Sequence, residues 1–427
     1  MTDLNRLSAF DAVRQIAAGK ISSEALVEAC LQRVREREPE VHAWATHDPE
    51  AVLAQARAID RESSRGLLAG VPLAVKDVID TAELPTQYNS PIYRSFRPRA
   101  DAACVALARN EGAIVFGKSV TTEFASRTPG PTRNPHNFEH TPGGSSSGSA
   151  AAVADFMVPF GFGTQTGGSV IRPASYCGVV GYKPSFGTIN CAGLKHLSES
   201  LDTIGVIART VADCALLVNA TSGRAMPGFF AAPKTPRIGV WRTSRADKAC
   251  SATLELIERC ASMLARRGAA VSEFTLPAEF DSLYDDQPLI SGFDATRALA
   301  WERTHHAELL SVHLRNQLAE YANKPRQPYT EAVQRARQRR QQFTQLVADA
   351  GIDALLTISA PGEALKGIAS TGDALFNRNW TLLGVPCITL PAGQGPQGLP
   401  LGVQLVADYD ADERLLLCAE WARNALG

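Results

Sequence analysis

Apolar and polar residues follow two different spacings along the chain. Residues 9–18 and 23–35 carry apolar positions at helical spacing, and Ser22 or Ser23 can cap the second of these helices. Short apolar runs then predict strands, with helices between some of them. The predicted strands are 68–75, 113–117, 158–163, 238–241, 270–276, 352–358, 387–391 and 401–407, and the predicted helices are 101–110, 210–219 and 253–267. This alternation predicts an α/β protein with a large mixed sheet.

The chain of 427 residues contains no internal repeat and no segment with the composition of a long linker. A loop-like stretch at 221–236 is too short to separate two domains. We therefore expect one domain over residues 1–427, in which a helical N-terminal region (1–65) packs on a core formed by 66–427.

Composition excludes several classes of function. The formal net charge is -1, and the densest basic stretch, 335–340, is predicted to be the solvated face of a helix, so no nucleic-acid partner is expected. The N-terminus lacks the pattern of a secretory signal, and no apolar run is long enough to cross a membrane. Nine scattered cysteines suit reduced thiols in the cytoplasm, and the histidines lack ligand spacing. We expect no metal and no cofactor.

A Gly/Ser-rich loop at 141–149 runs directly into an apolar helix predicted at 150–156. This continuity disfavours a flexible linker, and the loop lacks the sequence of a phosphate-binding loop. Within the loop, Gly144–Gly148 matches the G-x-S-x-G pattern, which would make Ser146 a nucleophile. That pattern requires a buried strand directly before it, whereas the preceding residues are polar and rich in proline, so we reject this interpretation.

A second glycine-rich turn, Gly163–Pro173, follows the apolar run 158–162. It could present the hydroxyl of Ser169 together with N–H groups for an oxyanion, or it could be an ordinary structural turn. A serine nucleophile needs a base. Lys76 ends an apolar strand, where burial would lower its pKa, and strand alternation should direct Asp77 to the opposite face. Taken alone, Lys76 could equally be a surface lysine paired with Asp77.

Together these segments resemble the amidase signature family. The resemblance rests on Val71–Asp77, on the loop Gly143–Ser146, on Gly163–Ser169 and on the C-terminal segments 377–386 and 398–404. It implies the family's α/β fold, a single large domain with a mixed central sheet covered by helices on both faces. It also implies a catalytic triad in which Ser169 is the nucleophile, Ser145 the bridging serine after a cis peptide bond, and Lys76 the base.

The same resemblance implies an oxyanion hole and a substrate class. The oxyanion would be bound by the N–H groups of Thr166, Gly167, Gly168 and Ser169. Within the family, the segments 141–153 and 163–174 are most similar to malonamidases, where an arginine three residues after the nucleophile, here Arg172, contacts a substrate carboxylate. An arginine in this position could instead bind internal carbonyls or an internal carboxylate.

The expected activity is hydrolysis of a small, carboxylate-bearing, malonamate-like amide to acid and ammonia through an acyl-enzyme. The alternatives are a general aliphatic or aryl amidase, a hydrolase of urea-derived acids, and the amidase subunit of a tRNA-dependent amidotransferase. A non-catalytic scaffold is disfavoured by the intact triad residues. The expected partner is a small amide, without nucleic acid or membrane, and a homodimer is the expected assembly.

Overall fold

Eleven strands form one mixed sheet in a computed structural model of the protein, which describes residues 3–62, 66–224 and 234–427. The order across the sheet is β1-β3-β2-β4-β6-β5-β10-β11-β9-β7-β8. The strands are β1 Trp44–His47, β2 Pro72–Lys76, β3 Ile114–Ser119, β4 Phe160–Gln165, β5 Val180–Lys183, β6 Thr203–Ala208, β7 Arg237–Val240, β8 Ala270–Glu273, β9 Ala354–Ile358, β10 Cys387–Gln394 and β11 Pro400–Val406.

Helices cover both faces of this sheet, as the predicted α/β class requires. They are α1 Ala9–Ala17, α2 Ser23–Val41, α3 Pro49–Asp60, α4 Ala103–Asn110, α5 Ser147–Ala154, α6 Ile171–Tyr176, α7 Val211–Ser222, α8 Ser251–Arg266, α9 Leu283–Ala298, α10 Ala300–His305, α11 Val312–Ala322, α12 Gln327–Ala350, α13 Leu375–Leu382 and α14 Asp412–Leu426. One buried apolar cluster extends from Ala9 in α1 to Ala425 in α14, so both ends of the chain share a core.

Apolar residues of the N-terminal region belong to the common core, but the region is not purely helical. Ser22 caps α2 by accepting a hydrogen bond from the N–H of Ala25, and the hydroxyl of Ser23 donates to the carbonyl of Gly70 at 2.5 Å. Strand β1 within this region pairs antiparallel with β3 and forms one edge of the sheet. The expected boundary near residue 65 therefore does not separate helices from sheet.

Strand β2 lies between β3 and β4 and runs parallel to both. Val75 is opposite Phe162, so the carboxyl ends of β2 and β4 reach the same edge of the sheet. This edge is where ligands bind in many α/β proteins, because the loops that leave parallel strands meet there. Lys76 ends β2 and the glycine-rich turn 166–169 follows β4, so the sheet brings the two predicted motifs together.

Several surface predictions can be compared directly with the structure. The basic stretch 335–340 lies on α12, but Arg335 is not simply solvated, because it forms a 2.6 Å ion pair with the buried Asp286 of α9. Part of the predicted loop 221–236 belongs to α7, and residues 225–233 lie outside the described residues. All nine cysteines are free thiols. Among the described helices, none is long and apolar enough to span a bilayer.

Candidate active site

Lys76 is buried at the end of β2 and faces the loop that contains Ser145. Its Nζ atom lies 2.7 Å from Ser145 Oγ, 2.7 Å from Thr164 Oγ1 and 3.4 Å from the carbonyl oxygen of Thr164. The side chain is completely buried. Burial lowers the pKa of Lys76 to about 7, an effect opposed by the charge of Asp202 and increased by that of Arg172. A neutral amine is therefore accessible near neutral pH.

Asp77 follows Lys76 in the sequence but belongs to a different cluster. Its carboxylate lies 3.1 Å from Lys118 Nζ on β3 and accepts hydrogen bonds from the N–H of Gln87. The expected separation of Lys76 and Asp77 is thus present in the structure. Since Asp77 is paired with Lys118, its charge does not hold Lys76 in the ammonium form through direct contact.

The loop with Ser145 contains a cis peptide bond between Gly144 and Ser145. Helix α5 begins two residues later, at Ser147. The hydroxyl of the buried Ser146 lies 3.2 Å from the N–H of Thr164 and 3.3 Å from the carbonyl oxygen of Thr164, so it links the loop to β4. Ser146 is thus a structural contact between the loop and the sheet, in agreement with its rejection as a nucleophile.

The turn after β4 is held from outside through its carbonyl groups. The carbonyl of Thr166 accepts from Gln287 Nε2 at 2.7 Å, and that of Gly167 accepts from Thr381 Oγ1 at 2.7 Å. The carbonyls of Gly168 and Ser169 accept from the N–H groups of Arg172 and Ser146 at 2.9 and 3.3 Å. A hydrogen bond to a carbonyl oxygen fixes the orientation of its peptide plane, so the N–H group on the other side of the same peptide is fixed as well.

The N–H groups of the same turn have no such acceptors. Gln165 Oε1 accepts from the N–H groups of Val170 and Ile171, whereas those of residues 166–169 donate to no atom in the described part of the chain. The turn also fits closely, since a Cβ atom added to Gly168 would lie 2.4 Å from Asn377 Oδ1. A side chain at this position would displace the turn from its supporting contacts.

A cleft of about 1050 Å³ opens over this turn. Residues 166–169 and Arg172 line one wall, and Gln287, Tyr321 and the segment 369–374 contribute to the others. Ser169 is 9% exposed at this wall, whereas Ser145 and Lys76 are not among the lining residues. Their position suits a proton relay that reaches a substrate only through the hydroxyl of Ser169.

Arg172 lies in α6 and lines the cleft, but most of its guanidinium is bound to the protein. Its Nε donates to the carbonyl of Thr371 at 2.8 Å and its Nη2 to the carbonyl of Gly144 at 2.6 Å. Nη1 is buried and has no partner among the described residues. Burial lowers the pKa of Arg172 to about 10. Nη2 thus supports the loop of Ser145, Nε binds the segment around Thr371, and Nη1 has no partner among the described residues.

Four residues near the triad were missed by the sequence interpretation: Thr164, Asp202, Gln287 and Thr381. Asp202 accepts a 2.5 Å hydrogen bond from Thr166 Oγ1 and further bonds from the N–H groups of Leu197 and Ser198. Thr164 was within reach of prediction, because it lies in the glycine-rich stretch at the end of β4. Gln287 and Thr381 contact the turn across 121 and 214 residues, and no local pattern indicates such contacts.

The described residues contain no group of three or more histidine, cysteine, aspartate or glutamate side chains arranged to hold a metal ion. His305 and His306 lie at the end of α10, outside the cleft lining. Metal-free catalysis stays a prediction and needs a direct test.

Known proteins are similar to this chain over nearly its whole length. The model of the family described as Amidase matches residues 25–416. A glutamyl-tRNA(Gln) amidotransferase subunit from Salinispora arenicola is 33% identical over 488 aligned positions, which cover 100% of this chain and 99% of the relative. The corresponding protein of Roseiflexus castenholzii is 34% identical, with 97% and 95% covered.

Solved structures are similar over the same length. The peptide amidase of Stenotrophomonas maltophilia superposes with a TM-score of 0.87 at 28% identity and covers 99% of this chain and 97% of its own. A protein from a vestigial complex, described as revealing the origins of an s-triazine catabolic enzyme, has a TM-score of 0.90 at 26% identity and covers 99% of each chain.

Proposed function

The chain belongs to the amidase family, and we propose that it hydrolyses C–N amide bonds with Ser169 as nucleophile, Ser145 as bridging serine and Lys76 as base. The observation that carries this proposal is the contact between the buried Lys76 Nζ and Ser145 Oγ at 2.7 Å. A lysine whose pKa is about 7 can accept a proton under ordinary conditions, which a solvated lysine cannot.

The three polar contacts of Lys76 can be satisfied by the ammonium, which has three donors, and also by the neutral amine. A neutral amine has two N–H donors and one lone pair. The two donors match the carbonyl and hydroxyl oxygens of Thr164, and the lone pair is then directed at the hydroxyl hydrogen of Ser145. Ser145 can accept the proton of Ser169 while it donates its own to Lys76, because a hydroxyl donates and accepts at once.

The reaction follows from this relay. Ser169 Oγ attacks the amide carbonyl carbon, and its proton moves through Ser145 to Lys76. The negative oxygen of the tetrahedral intermediate is bound by the N–H groups of residues 166–169, which are held in place before the substrate arrives. The relay then returns a proton to the leaving nitrogen, which departs as ammonia or an amine. Water hydrolyses the acyl-enzyme and regenerates Ser169.

For the substrate, we propose an amide that carries a free carboxylate, as the similarity to malonamidases implies. The Nη1 atom of Arg172 supports this, since it is a buried donor at the cleft with no described partner. The other two nitrogens bind Thr371 and Gly144, so Arg172 supplies a single nitrogen rather than a bidentate grip. These two contacts correspond to the alternative in which the arginine binds internal carbonyls, and Nη1 is the atom left for a substrate.

A second candidate function is that of an amidotransferase component, because relatives with that name align over nearly the whole chain. Ammonia release by the purified chain separates the two. Robust hydrolysis without partner proteins would support a free-standing amidase. Hydrolysis that requires partner chains would instead support the amidotransferase. Light scattering on the same sample tests the predicted homodimer, and fractionation of cells tests the predicted cytoplasmic location.

The triad is tested with three variants, each assayed for ammonia release. Ser169→Ala and Lys76→Ala should each lose nearly all turnover while circular dichroism shows a folded protein, because the members of a relay act as a unit. Ser145→Ala should be severe but less complete if water replaces the hydroxyl. Retention of most activity by Lys76→Ala would refute the mechanism. The same assay after treatment with a chelator should show full activity.

A further inference from the structure

The charges that line the cleft are not balanced by the protein. Arg127, Arg172 and Arg378 line it together with the carboxylates of Asp373 and Glu320. Asp373 is paired with Arg378 at 2.8 Å, and Glu320 is paired with Lys324 at 2.6 Å. In the described part of the chain, neither Arg127 nor Arg172 has a carboxylate within ion-pair distance. Two guanidinium groups in one cleft thus lack a counter-ion.

The two unpaired arginines differ in the way they are held. Arg172 is buried at the base of the cleft, and only its Nη1 atom lacks an acceptor. Arg127 follows the short helical turn 123–125 and is exposed, with no described hydrogen bond or ion pair. Desolvation is the largest cause of the lowered pKa of Arg172; the charges of Tyr176 and Asp373 oppose it, and those of Arg378 and Arg127 add to it. An anion between these groups would relieve this repulsion.

We infer that Arg127 and the Nη1 atom of Arg172 form an anion subsite that binds a carboxylate carried by the amide substrate, and that this substrate is longer than malonamate. The inference rests on the proposed amidase function of the same cleft. Arg172 offers one nitrogen at the base, so a carboxylate held by more than one contact requires a second cation. Arg127 is the cleft arginine whose guanidinium is free to move towards such a group.

The size of the cleft supports a longer substrate. Its volume of about 1050 Å³ is at the upper end of the roughly 300–1,000 Å³ that is usual for ligands of drug size. A malonamate molecule would fill only a small part of this space. A monoamide of a longer dicarboxylic acid could place its carbonyl at Ser169 and its carboxylate between the two arginines.

Calorimetric binding tests the subsite without any need for turnover. The full chain is titrated with malonate, glutarate and adipate, which represent diacid products, and with pentanoate and hexanoate as the monoacids that match glutarate and adipate in length. Glutarate or adipate should bind more tightly than malonate and than the monoacid of equal length. Arg127→Gln should weaken binding of the longer diacids by about two- to fivefold, as expected for an ion pair that is partly exposed to water. Added salt should weaken it in the same direction.

Arg99→Gln is the matched control, because Arg99 is an exposed arginine outside the cleft lining. It should leave diacid binding unchanged. Kinetics on adipamate and hexanamide provide the second readout, in which Arg127→Gln should raise KM for the acidic amide only. Equal effects of Arg127→Gln on adipamate and hexanamide, or no preference of the wild-type chain for longer diacids, would overturn the subsite. Absence of hydrolysis of every amide would instead count against the proposed function, while the binding data would still decide the subsite.

Discussion

Lowering the pH should protonate Lys76 and stop hydrolysis, and the midpoint of this loss is the number that the structure predicts best. Lys76 is fully buried, and its pKa is lowered from 10.5 to about 7, mainly by desolvation. At about 1.4 kcal/mol per pH unit, the surroundings disfavour the ammonium form by roughly 5 kcal/mol. The base is therefore mostly neutral above pH 7 and mostly protonated below it.

The predicted profile of kcat/KM is a plateau above the pKa and a tenfold loss per pH unit below it. At pH 5, about 1% of the enzyme would hold a neutral base. The assay is ammonia release at low substrate concentration from pH 5 to 9, with a neutral amide. A neutral amide is needed because a carboxylate on the substrate would titrate in the same range. Circular dichroism at each pH establishes that the loss is not unfolding.

Two results would refute this reasoning. A flat profile from pH 5 to 9 would mean that no group with a pKa near 7 acts as the base. An acid limb centred near pH 10 would mean that Lys76 is solvated and that the packing around it is different from the one described. Residual turnover of Lys76→Ala should be independent of pH over the same range, since the titrating base is gone.

Two further predictions concern stability and the oxyanion turn. Lys76→Met should raise the free energy of unfolding by about 2–4 kcal/mol at pH 7, because the unfolded state no longer binds a proton that the fold disfavours. This gain should shrink as the pH rises towards 10.5, so denaturant unfolding that showed the same gain at pH 7 and at pH 10 would contradict the lowered pKa of Lys76. Gln287→Leu should lower kcat about 10- to 100-fold with little change in KM, because the Thr166–Gly167 peptide loses the hydrogen bond that Gln287 donates to it. Gln338→Leu, on the exposed face of α12, is the control, and an effect of Gln287→Leu on KM alone would contradict a positioning role for Gln287.

The fold could be predicted largely because long apolar runs mark the buried strands. Strands β2, β3 and β4 appear as such runs, and their neighbouring positions in the sheet bring Lys76 and the glycine-rich turn to one edge. Strands β1, β5 and β6 were missed. Strands β1 and β5 have four residues each, too few for a periodic pattern, and their pairing partners are distant in the sequence.

The site shows the same division between local and long-range information. The sequence motifs contain Lys76, Ser145 and Ser169, and the structure places the first two in contact. The supporting residues Gln287 and Thr381 could not be predicted, because a glutamine or threonine on a helix has no local signature of a partner more than 100 residues away. The position of Arg172 was predictable, whereas the binding of its guanidinium to Gly144 and Thr371 depends on the packing of loops.

The base and the oxyanion turn have different electrostatic requirements, and the hydrogen bonds of Asp202 satisfy both. The base must remain neutral, so a carboxylate in direct contact with Lys76 would be harmful, whereas the oxyanion turn needs rigid support. Asp202 is the carboxylate whose charge acts on Lys76, yet it accepts hydrogen bonds from Thr166 Oγ1 and from the N–H groups of Leu197 and Ser198, and it lies 3.2 Å from His196 Nδ1. Its negative charge is therefore stabilised by donors other than Lys76 and at the same time fixes the first residue of the turn. In the proposed mechanism the oxyanion is stabilised by N–H dipoles rather than by an ammonium group, so one buried environment can keep the lysine basic and still bind the negative charge that forms on the substrate.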